Sequence, residues 1–212
     1  MVTRRSPQIH SRKEPQQARS EELIGTILQA AVQVLKKQGA HRFTTARVAE
    51  KAGVSIGSLY QYFPNKASIL FRLQSDEWRQ TNELLRRILE DKKTPPLLRL
   101  RRLVHAFIRS ECDEAAIRIA LNDAAPLYRD APEALEARTS GKMAFKVFMQ
   151  EALPDATEET RLLAVDLLTA TLSRVGKDFS TRPQAIAEVD VFAGAMADMF
   201  CAYLDKLGRA NK

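Results

Sequence analysis

Apolar residues return at helical spacing, three or four apart, in one segment after another, which predicts an all-α chain of about nine helices. The first stripe, Leu23, Ile27, Ala30, Ala31, Val34 and Leu35, predicts a helix over 20–38, with Ser20 as its cap and Gly39 as its stop. A second, short helix follows from Thr44 or Thr45, either of which supplies a capping hydroxyl, to about Ala52. Val48, Ala49 and Ala52 form its inner face, and Gly53 ends it. Ser55 caps a third helix, in which Leu59, Tyr62 and Phe63 turn inward while Ile56, Gly57, Ser58 and Gln61 turn outward. Pro64 stops that helix, since the residue before a proline avoids the α region. Asn65 then caps a long helix to about Asp91, with Ile69, Leu70, Leu73, Trp78, Leu84, Leu85 and Ile88 as its apolar positions.

Downstream, Pro95 and Pro96 open a helix carrying Leu97, Leu100, Leu103, Val104, Phe107 and Ile108. Its other face, Arg99, Arg101, Arg102 and Arg109, reads as solvated. Asp113 is expected to cap a short helix to about Ala125, followed by a loop over 126–131. Pro132 starts a helix with Leu135, Met143, Phe145, Val147, Phe148, Met149 and Leu153. Thr157 and Thr160 cap the next, which ends near Gly176, and Pro183 opens the last, to about Leu207. The last two are apolar over much of their circumference, so each must be covered on more than one side.

Charge adds direction to this pattern. Residues 1–70 carry 11 Lys or Arg against 4 Asp or Glu, an excess equal to the net +7 of the whole chain. The remaining residues carry 22 of each sign. All surplus positive charge therefore travels with the short helix pair, the footprint of a polyanion binder. A pair of short helices joined by a tight turn can lay its second member in the major groove of DNA. Residues 1–18, basic and broken by Pro7 and Pro15, read as a disordered arm.

Residues 23–70 resemble the DNA-binding domain of the TetR family of bacterial transcriptional regulators. The resemblance runs through Ala30, Ala31, Leu35, Gly39, Phe43, Thr44, Thr45, Val48, Ala49 and the run from Ala52 to Ser55, then Gly57, Leu59, Tyr60, Tyr62, Phe63, Asn65 and Lys66. It implies an N-terminal three-helix helix-turn-helix domain over 19–79, with the helix-turn-helix at about 43–62, and a C-terminal helical ligand-sensing and dimerisation domain over 80–212. Base-edge contacts are then expected from Ile56, Gly57, Ser58 and Gln61. Glutamine can pair bidentately with adenine, and isoleucine can touch a thymine methyl. The resemblance carries phosphate contacts over to Thr45, Tyr60, Tyr62 and Lys66, with Arg47 and Ser55 of the same type.

For the second domain the expected effector is small and apolar or amphipathic, since no cluster of buried charge stands out. Candidate lining residues are Trp78, His105, Phe107, Phe145, Phe148 and Met149, all of which also read as plain core. The last two helices are expected to form a four-helix bundle with a second copy through Leu168, Leu172, Phe192, Met196, Phe200 and Tyr203, the alternative being intrachain core helices.

The expected partners are thus double-stranded DNA, a second copy and a small effector, with no membrane and no cofactor. No run reaches the roughly 18 apolar residues of a membrane span, and no secretory signal opens the chain, which reads as cytoplasmic. Cys112 and Cys201 read as reduced thiols. The three histidines His10, His41 and His105 share no metal-binding spacing, and no catalytic motif is visible, so the chain does not read as an enzyme. The competing readings are a sequence-nonspecific DNA-binding protein, an activator of the same fold, and a helical enzyme or partner-binding module with a vestigial reading head.

Overall fold

The structure is a computed structural model that describes residues 18–124 and 143–210; the basic arm, the 126–131 loop and the start of the helix at Pro132 lie outside them. Among the described residues there are nine α-helices and no strand. They are α1 (Ala18–Gln38), α2 (Thr45–Ala52), α3 (Ile56–Tyr62), α4 (Lys66–Glu90), α5 (Pro96–Asp113), α6 (Ala115–Ala124), α7 (helical over 143–152), α8 (Glu158–Phe179) and α9 (Ile186–Ala210). A 3-10 turn, Ala40–Arg42, joins α1 to α2.

Two compact units result. The first contains the described residues up to Glu77 together with 116–124; the second contains Trp78–Ala115 and 143–210. The helix α6 thus groups with the chain's first helices, which a single cut near residue 79 would not give. Within the first unit Gln74, buried in α4, donates to Glu77 Oε2 at 2.8 Å, and Arg118 of α6 lies 3.7 Å from Glu77 Oε1.

The first unit's core is Ile24, Ile27, Ala31, Leu35, Phe43, Val48, Leu59, Phe63, Ile69 and Leu70. The second unit's core joins α5, α7, α8 and α9, with α5 packing most extensively on α9. Gly176 of α8 is a point of close approach: a Cβ there would come 3.0 Å from Ile108 Cδ1 and 3.1 Å from Phe107 Cε1 of α5. Helix α8 runs past the expected end at Gly176, to Phe179.

Several local expectations need correction. Ser20 lies inside α1, which begins at Ala18, so its hydroxyl is not a cap but accepts a hydrogen bond from Tyr62 at 3.2 Å. Asp113 closes α5 instead of opening α6. The last helix opens at Ile186 and not at Pro183; Glu188 folds back to accept from the backbone N–H of Ala185 at 2.9 Å, satisfying one orphan donor of that end.

The largest departure is Arg99. Expected on a solvated face, it is 1% exposed. Its guanidinium donates to the carbonyl of Leu89 in the last turn of α4 and to Glu151 of α7, and it lies 5.5 Å from the centre of the Phe148 ring. Burial is tolerated because the charge is paired, hydrogen-bonded and stacked. The other arginines of that face are exposed or half-exposed and paired: Arg101 with Asp198, Arg102 with Asp91 and Arg109 with Asp190.

Candidate nucleic-acid interface

The reading-head geometry follows from local rules. Thr44, extended at φ −134°, ψ 149°, is the N-cap of α2, its hydroxyl accepting from the N–H of Arg47 at 3.3 Å. Of the two candidate threonines Thr44 thus caps, which leaves Thr45 as the first helical residue. Gly53 is left-handed at φ 68°, a conformation that glycine adopts without a Cβ clash, and there the chain turns. Val54 donates to Ala49 O at 3.0 Å as it turns. Ser55 caps α3 by accepting from the N–H of Ser58 at 2.9 Å, and the two hydroxyls lie 2.8 Å apart. Phe63 ends α3 in an extended conformation ahead of Pro64. Asn65 caps α4 through its side-chain oxygen, which accepts from Ser68 N at 3.0 Å.

On α3, Leu59 and Phe63 are wholly buried, whereas Ile56, Gly57, Tyr60 and Gln61 are exposed and Ser58 is half-exposed. The Tyr60 hydroxyl and Thr45 Oγ1 lie 3.0 Å apart, tying α3 to the first turn of α2. A Cβ placed on Gly57 would meet only Ser55 Oγ, at 3.7 Å, so neither backbone conformation nor packing demands glycine there. Lys66 is exposed in the first turn of α4.

Two expected site residues are placed differently. Tyr62 is 9% exposed, its ring within the core and its hydroxyl on Ser20, so it stands apart from the outward set. Arg47 is exposed, but its Nη1 donates to Gln38 Oε1 at 2.8 Å and to the Arg42 carbonyl at 2.7 Å. Its first function is therefore to pin the end of α1 and the 3-10 turn to α2.

In the second unit Phe145, Phe148 and Met149 are buried and Phe107 is partly buried against the same core, while Trp78 and His105 are half-exposed. A cleft of about 250 Å³ in this unit is lined by other residues, among them Leu97, Leu153, Pro154 and Leu204. Two charged residues of this unit, Arg99 and Glu111, are buried, twelve positions apart on α5.

Leu168, Leu172, Met196 and Phe200, expected at a dimer interface, are instead buried in the chain's own core, because their side of α8 and α9 faces the rest of the unit. Phe192 and Tyr203 pack against that core, Phe192 stacked on Phe179 at 3.9 Å between ring centres. The opposite side of both helices carries the exposed apolar residues Leu163, Leu167, Val191 and Met199, with Val191 74% exposed. Sequence reasoning missed this set, although its spacing at 163 and 167, and at 191, 195 and 199, is helical too.

Among the described residues no helix is long and apolar enough to cross a membrane, and no three potential metal ligands cluster.

Residues 27–73 match the family described as bacterial regulatory proteins, tetR family, and residues 95–207 match the tetracyclin repressor-like C-terminal domain. The chain belongs to the TetR family. Its likeness to curated relatives is shorter. It is 35% identical over 68 residues to the fatty acid metabolism regulator protein of Bacillus subtilis, covering 32% of this chain and 35% of that one. It is 39% identical over 83 residues to the nucleoid occlusion factor SlmA of Vibrio campbellii, covering 39% and 42%. The chain thus spans about two fifths or less of the length of these relatives. The TetR fold extends much further: the solved structure of the regulator FadR from Bacillus subtilis in complex with stearoyl-CoA superposes with a TM-score of 0.67 at 17% identity, over 84% of this chain and 97% of that one. Regulators of the TetR family bind DNA and are not enzymes, and this chain carries both halves of their architecture.

Proposed function

We propose that this TetR-family chain is an effector-responsive repressor that binds a two-fold operator as a dimer. One observation carries the reading: the exposed face of α3, Ile56, Gly57, Ser58 and Gln61, is held by the Ser55 cap and the Tyr60–Thr45 contact within the first 70 residues, whose charge excess equals that of the whole chain. In this reading Gln61 and Ile56 meet base edges, and Ser58 adds a hydroxyl. Gly57 lets the backbone come close. Thr45, Ser55, Tyr60 and Lys66 hold phosphates and set the register. Arg47 and Tyr62 position the others.

The second copy docks on the apolar side of α8 and α9, through Leu163, Leu167, Val191 and Met199. Exposed apolar residues on both of these helices are covered economically by a two-fold mate, and a dimer is what two half-sites require. The effector is small and apolar or amphipathic, and enters by parting Phe107, Phe145, Phe148 and Met149. FadR, of the same fold, is seen with stearoyl-CoA. Differential affinity for two arrangements of α4, a helix continuous from Lys66 to Glu90, couples effector to DNA.

Selection of bound duplexes from a random library with purified chain tests this. Enrichment of one inverted repeat is expected, with affinity exceeding that for random duplex by ~10³ or more. A library returned without enrichment overturns it, and supports sequence-nonspecific binding instead.

A further inference from the structure

A second group of cations lies in the first unit, away from α3. Lys37 in the last turn of α1 and Lys51 in the last turn of α2 line a polar cleft of about 570 Å³. Its wall includes Arg47, whose guanidinium is fixed by Gln38 and the Arg42 carbonyl, and its single acid is Glu50. Both lysines are exposed, and among the described residues neither forms an ion pair. In the second unit Arg86, Arg87, Arg99, Arg101, Arg102 and Arg109 each pair with a carboxylate, which, among the described residues, the cations of this cleft do not. Unneutralised like charges brought together on one surface repel each other, and a polyanion relieves that cost.

The cleft also faces a different way from the reading surface. At about 100° per residue, Arg47, Glu50 and Lys51 centre roughly 200° round α2 from Thr45, the residue that touches α3 through Tyr60. A duplex seated under α3 therefore does not bring the same phosphates to Lys37 and Lys51.

We propose that the α1–α2 cleft is a second, sequence-independent site for the sugar–phosphate backbone of duplex DNA, with Lys37, Lys51 and the fixed Arg47 as its cations. It rests on the reading of the chain as a DNA binder, and not on sequence specificity. The phosphates come either from the flank of the bound operator or from a second duplex.

The test compares full-length wild type with a Lys37→Ala/Lys51→Ala variant on three DNAs: a selected site with long flanks, the same site trimmed to its two half-sites, and random-sequence duplex of the long length. Flank binding predicts that the variant's log K against log salt slope is shallower by about 1.8 per protomer, or about 3.6 for the dimer, on the two long duplexes, at ~0.9 per phosphate contact, and unchanged on the trimmed one. Binding of a second duplex predicts that wild type brings two differently labelled trimmed duplexes together and that the variant does not. In either case the preference for selected over random sequence stays as in wild type. Equal slopes for the two proteins on every DNA, with equal bridging, overturn the proposal, as does an equal loss on trimmed and long duplexes. Wild type that holds every duplex alike refutes sequence reading but leaves the cleft testable on random duplex.

Discussion

The Tyr60 hydroxyl lies 3.0 Å from Oγ1 of Thr45, fifteen residues earlier in the chain. The contact joins the middle of α3 to the first turn of α2 and holds a phenol and a threonine hydroxyl side by side at the surface. Tyr60→Phe removes one of these hydroxyls and leaves the ring. Being exposed, the bond contributes little to folding, at most about 1 kcal/mol. The expected loss is in DNA binding, about tenfold, with melting nearly unchanged. Thr45→Val should do the same, and the double variant should be no worse than about the stronger single, because the two hydroxyls act together. Additive losses in a filter-binding or anisotropy titration would show that they act apart.

Gly57→Ala separates folding from reading. The added methyl meets nothing closer than Ser55 Oγ at 3.7 Å, and alanine is the better helix residue. Thermal unfolding should show stability unchanged or raised by up to about 1 kcal/mol. Operator affinity should fall, because the backbone at 57 is proposed to lie against the groove. A variant that binds as tightly as wild type removes close approach from the mechanism.

Leu163→Glu with Met199→Glu places charge on the exposed apolar stripe without touching the buried core. The circular dichroism spectrum should be retained. Sedimentation at micromolar concentration should change from dimer to monomer, and affinity for a two-fold site should drop with it. The same dimer fraction in variant and wild type would move the interface elsewhere.

Arg99 and Glu151 are predicted to couple. Glu151→Leu leaves a buried guanidinium with only the Leu89 carbonyl and the Phe148 face, and should cost about 3 kcal/mol in urea unfolding. Changing both residues to leucine should recover much of that loss, since no charge is then stranded. A double variant as unstable as the sum of the singles would mean the pair has no mutual dependence.

Burial pushes the Cys201 thiol pKa up, and its Sγ is 3.4 Å from the Leu97 carbonyl, to which it donates. The thiolate, which is the reactive form, is therefore scarce at neutral pH. Alkylation by iodoacetamide should be slow at pH 8 and still accelerating above the ~8.5 midpoint of a free cysteine. A rate already at its plateau there would contradict the shift.

Much of the reading head was legible from sequence because its signals are local. Ser55, Asn65 and Thr157 cap helices where their hydroxyl or amide stands just before an apolar run, and Gly53 turns where only its φ is easy. Beyond a few helix ends, the misreadings are non-local. Arg99 looked solvated because its partner Glu151 is 52 residues away in sequence. Leu168 and Phe200 looked available for a partner because two apolar sides of one helix cannot be ranked without knowing which side α5 occupies. Ser20 looked like a cap because its bond to Tyr62 crosses 42 residues.

The crossing at Gly176 leaves no slack: a single extra carbon there already presses on Phe107 and Ile108. Anything larger than glycine's hydrogen at this crossing would force those side chains aside, so the closeness of α8 to α5 here depends on that one hydrogen.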